Sequence, residues 1–405
     1  MAAADQRWET LAQEAGRAFS PTSPIDEKGL FSGRADQLRR VIDAINQKGQ
    51  HAIIYGERGV GKTSLANVLS SHLFHPQASI LAPRINCDSQ DEFETVWRKA
   101  FDQIAMLTRP TPGFIPAPSR PPSLTEALRG DITPDSVRRA LTALSDTSLP
   151  IFIVDEFDRL QTRTRRAFAD TIKNLSDHGV PATVVMVGVG DSVDELIEEH
   201  QSVERALVQI QMPRMSTQEI TTILTTGVGR LAMAINEGAK SRIALLAQGL
   251  PHYAHLLGLY SARVALDRRS MEVSGADVAE AIRKALDNAQ ASIRNTYFEA
   301  IRSARKDNLF CAVLLACALA RTDELGFFAA QDVRPPIRKI TGKSYDIPSF
   351  AQHLTEFTEH KRGPILMKSG SKRLYRFRFI NPLMQPFVIM QGVVNGQIDS
   401  ESIGA

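Results

Sequence analysis

The sequence predicts an α/β fold: a parallel sheet, then a helical segment, then a small basic unit of helices with a β-hairpin. Three observations lead there. From Phe31 to about Pro213, apolar strand candidates alternate with amphipathic helices, the pattern of a parallel sheet flanked by helices. From Ser216 to about Arg305 the strand pattern stops and helical periodicity takes over. From Leu309 to Gly392, three short helical patterns are joined by two strand patterns around a Ser-Gly-Ser turn.

Residues 1–30 read as a short polar helix followed by a turn-rich linker, SPTSP. The strand candidates that follow are Ala52–Tyr55, Ile80–Asn86, Ile151–Val154, Thr183–Val187 and Leu207–Ile210. Between Pro110 and Pro122 lie six prolines, which fit neither helix nor sheet and predict an exposed loop. In the helical segment, STQE predicts a capping box with Ser216 at the cap and Glu219 reaching back. A further helix is expected to start at Ser274. The boundaries expected are 1–30 for the N-terminal helix and linker, 31–213 for the sheet, 214–305 for the helical part, 306–392 for the terminal domain and 393–405 for a tail. No internal repeat is present.

With 405 residues the chain has length for two or three domains and an ample core. Its 43% apolar and 23% charged residues are ordinary for a globular protein. The longest apolar runs, such as CAVLLACALA after Phe310, are too short to span a bilayer. The polar N-terminus lacks the regions of a signal peptide, so a cytoplasmic protein is expected. The three cysteines fit a reducing compartment; Cys311 and Cys317 fall on different faces of one predicted helix and cannot easily bridge. No Cys/His cluster has metal-ligand spacing.

The net charge is only +3, but it is unevenly spread. Ala289 to Gly392 holds 16 Lys or Arg against 8 Asp or Glu, a surplus of +8, which leaves the rest of the chain acidic by −5. A basic end on an acidic body predicts a polyanionic partner.

The stretch IIYGERGVGKTSLANVL, from Ile53, carries the chemistry. GERGVGKT places Gly56, Gly61, Lys62 and Thr63 in the register G-x-x-x-x-G-K-[ST], after a strand and at the start of a helix with Leu65, Val68 and Leu69 on one face. Glycines let such a loop turn with its N–H groups inward as an anion nest, and the helix N-terminus adds positive potential. Gly56, Glu57, Arg58, Gly59, Val60, Gly61, Lys62, Thr63 and Ser64 are therefore expected to hold ATP. Lys62 would reach the β- and γ-phosphates and Thr63 would offer its hydroxyl to Mg²⁺. The alternative is a chance glycine turn. An acidic partner belongs at the end of another strand, and IFIVDEFDRL supplies one. Asp155 would serve the Mg²⁺ shell, and Glu156 would orient and deprotonate the attacking water. The alternative is an exposed acidic strand end.

With these motifs in place, the chain resembles the AAA+ class, and within it the origin-recognition and replication-initiator branch. FSGRADQLRRVIDAI before the loop resembles that branch's adenine-side box, INCDSQDEF its second strand, and DEFD its acidic motif. The likeness spans roughly Phe31 to Phe379. It implies a P-loop NTPase sheet, a helical lid and a C-terminal winged-helix domain. Arg205, in HQSVERALVQI, stands where AAA+ proteins place an arginine finger acting on a neighbouring subunit's γ-phosphate, which implies a homo-oligomer; a surface ion pair is the alternative. The sensor position falls near Asp191 and Ser192, where the branch usually has Asn; a simple turn is the other reading. In AQGLPHYAHLLG, His252 stands where the branch has Arg. GLP there looks like the lid of STAND-type signalling ATPases, in which the proline, here Pro251, packs near adenine. His252 is read either as a phosphate contact or as a histidine that merely begins a helix.

RGPILMKSGSKRLYRFRFINP resembles the wing of a winged helix. Alternation puts Lys372, Arg376 and Arg378 on one face and Tyr375, Phe377 and Phe379 on the other. Lys361 to Arg378 holds seven basic residues and no acidic one, suited to double-stranded DNA phosphates without base reading. The preceding helix, IPSFAQHLTEFTEH, has no Arg or Lys, so little sequence specificity is expected. A solvated hairpin, or one docking an acidic protein, is the alternative. The arginines 163, 165 and 166 read either as a second phosphate-facing patch or as a solvated helix face. The expected function is an ATP-dependent AAA+ ATPase controlling assembly on DNA. The rival is a STAND-like switch with slow hydrolysis and protein partners, and the proline-rich loop could serve a protein partner in either case. No membrane is expected.

Overall fold

Contacts within the chain, in the computed structural model, divide it into a sheet unit, Pro24–Glu57 with Gly61–Met212, and a helical unit, Met1–Ser23 with Arg58–Val60 and Pro213–Ala405. The structure describes residues 2–21, 33–73, 80–107, 130–190, 193–197, 203–304, 308–323, 325–371 and 374–399. Among these, no helix is long and apolar enough to cross a membrane. Helix α1 (Ala2–Ala18) belongs to the helical unit.

In the sheet unit, α2 (Ala35–Asn46) leads into β1 (His51–Gly56), whose near-unbroken apolar burial suits a central parallel strand. After it come α3 (Lys62–Leu73), β2 (Ile80–Leu81), β3 (Arg84–Asn86), α4 (Phe93–Leu107), α5 (Pro134–Ser145), β4 (Leu149–Asp155), α6 (Thr162–Asp177), β5 (Thr183–Val189), α7 (Asp194–Ile197) and β6 (Leu207–Gln211). The strands form one parallel sheet in the order β2-β4-β5-β1-β6, with β3 also paired to β4. Burial holds His51 neutral by pushing its pKa down to about 4, and its Nδ1 accepts from Val184 N at 3.0 Å.

One expected strand divides. Ile80–Leu81 pairs with Leu149–Pro150, whereas Arg84–Asn86 pairs with Ile153–Asp155. Pro83 lies between them without an N–H to give, although its carbonyl accepts from Ile153 N at 3.0 Å. The acidic strand β4 is anchored by aromatics. Phe152 meets Trp97 edge-on at 5.0 Å, Trp97 stacks on Phe168 at 5.7 Å, and Phe157 meets Phe168 at 5.5 Å. Each such pair adds about 0.5–1.5 kcal/mol beyond burial, so the backbone on both sides of Asp155 and Glu156 is fixed.

The helical unit continues with α8 (Thr217–Arg230), α9 (Glu237–Ala247), α10 (Pro251–Asp267), α11 (Gly275–Asp287) and α12 (Ala291–Ile301). The capping box forms: Ser216 N donates to Glu219 Oε2 at 2.7 Å, and Glu219 N donates to Ser216 Oγ at 3.2 Å. The segment is not wholly helical. Two-residue strands β7 (Ala234–Ile235) and β8 (Glu272–Val273) pair in parallel, too short for period-two alternation to register.

Helix α1 packs on α8 and α10 through Phe19, which is fully buried. Room for the ring comes from Gly227 and Gly258: a Cβ on either would run into the Phe19 ring, at 2.5 Å for Gly258. Phe19→Ala is therefore expected to cost about 3–5 kcal/mol as a cavity, and Gly258→Ala about 1–3 kcal/mol as overpacking. Denaturant titration measures both, and an unshifted midpoint for Phe19→Ala would show that α1 does not hold this unit together.

The terminal part runs α13 (Phe310–Leu319), β9 (Phe328–Ala329), α14 (Arg334–Thr341), α15 (Ile347–Glu356), β10 (Leu366–Ser369), β11 (Arg376–Phe379) and α16 (Met384–Val394). The expected hairpin is β10–β11, but β9 adds a third antiparallel strand, giving the order β10-β11-β9. The expectation of three short helices also omits α16, which is apolar nearly all round and buried against α13 and α11. Its polar Gln385 is satisfied, donating to Ala318 O at 2.8 Å and accepting from Arg214 Nη1 at 2.5 Å.

Candidate active site

The loop between β1 and α3 takes its shape from backbone that side chains would obstruct. A Cβ on Gly56 would meet Met212 O at 2.5 Å, and Gly61 has φ +96°, a region L-residues avoid. Helix α3 begins at Lys62, with Leu65 N giving the first bond back to Gly61 O at 3.0 Å. The N–H groups of Lys62, Thr63 and Ser64 thus belong to the first turn, which a helix cannot bond internally. The Lys62 side chain is buried and folds over the loop, donating to Gly56 O at 2.9 Å and Glu57 O at 2.8 Å.

Across the sheet, β5 lies between β1 and β4, with Gly56 opposite Val189. The acidic pair ends β4. Asp155 is buried; its Oδ2 accepts from Arg84 Nη2 at 2.7 Å and its Oδ1 from Glu156 N at 2.9 Å. Glu156 is about half exposed, accepts from Arg159 Nη1 at 2.7 Å, and sits at φ 56°, ψ 36°, left-handed for a non-glycine residue. The next turn is strapped to the end of β5, because Val189 N donates to Asp158 Oδ1 at 2.8 Å. The sheet unit thus carries Gly56, Gly61, Lys62, Thr63, Ser64, Asp155 and Glu156 along the C-terminal edge of its strands.

Arg205 lies elsewhere. It is exposed, in a 3-10 turn immediately before β6, whose Leu207 pairs with His51 at the start of β1. That is the opposite edge of the sheet from Gly56, roughly 17 Å away along a five-residue rise. Arg58, Gly59 and Val60 group with the helical unit, as do Pro251 and His252. Pro251 opens α10, and the His252 Nδ1 lies 2.7 Å from the Pro21 carbonyl, with burial lowering its pKa. Arg376 donates to Asp323 at 2.8 Å, and Arg378 lies over the Phe327 ring at 4.6 Å, while Phe377 and Phe379 are buried. Asp191, Ser192, Lys372 and the prolines from Pro110 to Pro122 lie outside the described residues.

Two arginines of this site are absent from the motif-based reading. Arg84 stands alone among apolar residues in ILAPRINC, and a charge inside a strand needs a partner. Arg159 follows Glu156 by three residues, one 3-10 turn.

The residues fit a triphosphate: a glycine-shaped loop at a helix N-terminus, with a buried ammonium aimed into it. The oxygen donors Thr63 and Asp155 fit a hard cation such as Mg²⁺. Among the described residues no group of three His, Cys, Asp or Glu forms a separate metal cluster.

A parallel sheet with this loop after β1 and an acidic pair ending β4 is a P-loop NTPase fold of the AAA+ kind. Residues 30–187 match the family described as AAA ATPase domain. No curated protein matches the chain. Among solved structures, the Walker-type ATPase of Pyrococcus abyssi is similar with TM-score 0.56 and 14% identity, over 91% of this chain and 98% of that one. Cdc6p of Pyrobaculum aerophilum has TM-score 0.48 at 14% identity, covering 94% and 98% of the two chains. The ORC1 protein of Aeropyrum pernix, solved with DNA, has TM-score 0.47 at 17% identity, covering 94% and 97%. At such identities the likeness concerns the fold.

Proposed function

We propose that this chain is an ATP-hydrolysing AAA+ ATPase that uses ATP binding and hydrolysis to control assembly on DNA with little sequence specificity. The observation that carries the ATPase part is the shared edge of the sheet, where the loop through Lys62 and Thr63 and the pair Asp155–Glu156 stand together. The loop N–H groups and Lys62 hold the phosphates; the ammonium leaves the Gly56 and Glu57 carbonyls for phosphate oxygens. Glu156 orients a water in line with the γ-phosphorus and takes its proton as the P–O bond to the leaving diphosphate breaks. Magnesium bound near Thr63 would draw charge from the β- and γ-phosphate oxygens. Both Asp155 oxygens already have protein partners, so Asp155 is assigned to the water shell of that ion. In this reading Arg205, on the far edge of the sheet from its own loop, serves the γ-phosphate of a neighbour in a homo-oligomer.

The DNA part rests on the charge of the terminal segment. Its helix, strand, helix, helix, strand, strand order from α13 to β11 supports a winged-helix reading, with residues 214–305 as the lid. ATP hydrolysis should rise several-fold on adding duplex DNA, measured as phosphate release. Unchanged turnover, with no DNA binding at low salt, would favour a second reading. In that reading the chain is a STAND-like switch with slow hydrolysis and a protein partner, the proline-rich loop being one candidate docking segment. The observation favouring it is His252, whose ring is held by the Pro21 carbonyl.

A further inference from the structure

Arg84 is held more firmly than a surface arginine would be. Its strand β3 runs beside β4 with Arg84 opposite Ile153 and Asn86 opposite Asp155, and Cys87 N continues the ladder by donating to Asp155 O at 2.9 Å. One side-chain amide stands in for a further strand: Arg84 N donates to Gln103 Oε1 at 3.0 Å, and Gln103 Nε2 donates to Arg84 O at 2.8 Å. Paired residues share a face and residues two apart return to it, so Arg84, Ile153 and Asp155 lie on one side of the sheet. The long Arg84 side chain spans the diagonal, and its Nη2 donates to Asp155 Oδ2 at 2.7 Å.

This ion pair is strong in charge and incomplete in geometry. The Asp155 side chain is 3% exposed, so salt screens the pair little. Yet Arg84 Nε is buried without an acceptor among the described residues, whereas arginine frequently meets a carboxylate with two parallel N–H groups. A buried donor left unmet is costly, so the guanidinium is not at its best geometry. Asp155 has a second tie that does not involve Arg84, because Glu156 N donates to Oδ1 at 2.9 Å. The direction of the carboxylate and the neutralising of its charge are therefore separate tasks, done by different groups.

We infer that Arg84 is a positioning residue that competes with the divalent cation for Asp155, and so keeps this carboxylate in the water shell of the ion. The inference rests on the ATPase reading above, in which Thr63 and Asp155 serve that ion. A guanidinium and a divalent cation on one carboxylate oxygen repel each other at short range, most strongly where water is excluded. With Arg84 on Oδ2, a cation keeps its water between itself and Asp155, an arrangement that suits Mg²⁺, which gives up water reluctantly. The ion then binds together with the triphosphate and not ahead of it. Without Arg84, a buried carboxylate still aimed by the Glu156 N–H would face the ion with its charge unanswered, and would ligate it directly.

The test loads the full chain with a non-hydrolysable ATP analogue and titrates Mn²⁺, reading the bound ion by electron paramagnetic resonance. Arg84→Ala is expected to bind Mn²⁺ about 10- to 100-fold more tightly than wild type, the size of effect that partners of metal ligands produce. Arg84→Gln drops the charge and keeps an amide N–H for Asp155; it carries the same expectation and guards against loss of fold in the alanine chain. Arg84→Lys keeps the charge and should stay within a few-fold of wild type. Adding Asp155→Asn to Arg84→Ala should abolish the gain. Without divalent cation the melting temperature of Arg84→Ala should fall, since Asp155 is left buried and unpaired, and Mn²⁺ with the analogue should raise it by more than in wild type. Unchanged or weaker Mn²⁺ binding in the folded variants, with the analogue still bound, would overturn the role of Arg84 and leave the ATPase reading standing. A gain that survives Asp155→Asn would also overturn it, by placing the ion on another group. Failure of the wild type to bind the analogue would overturn both.

Discussion

Lys62→Ala is expected to abolish ATP binding while leaving the fold in place. The ammonium is buried over the loop and makes two charge-assisted bonds, to Gly56 O and Glu57 O, which a triphosphate would inherit. Bonds of this kind contribute about 1.5–3 kcal/mol each, so losing two weakens binding on the order of 10²- to 10⁴-fold. The fold has other supports. Leu65, Val68 and Leu69 bury α3 against the sheet, and Gly56 and Gly61 keep the loop's turn. Titration with a fluorescent ATP analogue measures the loss, with circular dichroism reporting the fold. An unchanged affinity in a folded protein would remove the phosphate-loop assignment.

Glu156→Gln is expected to keep ATP binding and lose hydrolysis by roughly 10²-fold or more, the contribution of a general base. The substitution is nearly isosteric, and its amide oxygen can still accept from Arg159, so the side chain keeps its direction. Only the ability to take a proton is removed. Single-turnover hydrolysis, measured beside binding, separates the two effects. Wild-type turnover in this variant would move the base to another residue.

The parts of this molecule written in contiguous residues were legible in the sequence. IIYGERGVGKT specifies strand, turn and helix within eleven residues, and IFIVDE gives strand and acid pair in six. The alternation in YRFRF likewise sent Phe377 and Phe379 inward. What escaped depends on distant partners or on short elements. Strands β7, β8 and β9 have two residues each, below any periodic signal. The bond from Arg84 to Asp155 joins residues 71 apart, and that from Arg376 to Asp323 joins residues 53 apart. A charge count weighs every cation alike and cannot tell which of them brace their own domain, as Arg362 and Arg376 do.

The seating of Phe19 also sets an order of events during synthesis. Apart from Arg58–Val60, the helical unit takes residues 1–23 and then nothing before Pro213, while the sheet unit is complete at Met212. Helix α1 leaves the ribosome ahead of the rest of its unit but finds Gly258 only after some 240 further residues, roughly 10–50 s at ordinary elongation rates. The sheet can close its core in that interval. The helical unit cannot, because its core joins residues 1–23 to residues beyond Pro213 that are not yet made. The nascent chain therefore holds an apolar ring in waiting, on a helix polar enough to tolerate the delay, and assembly of the second unit is timed by translation of α10.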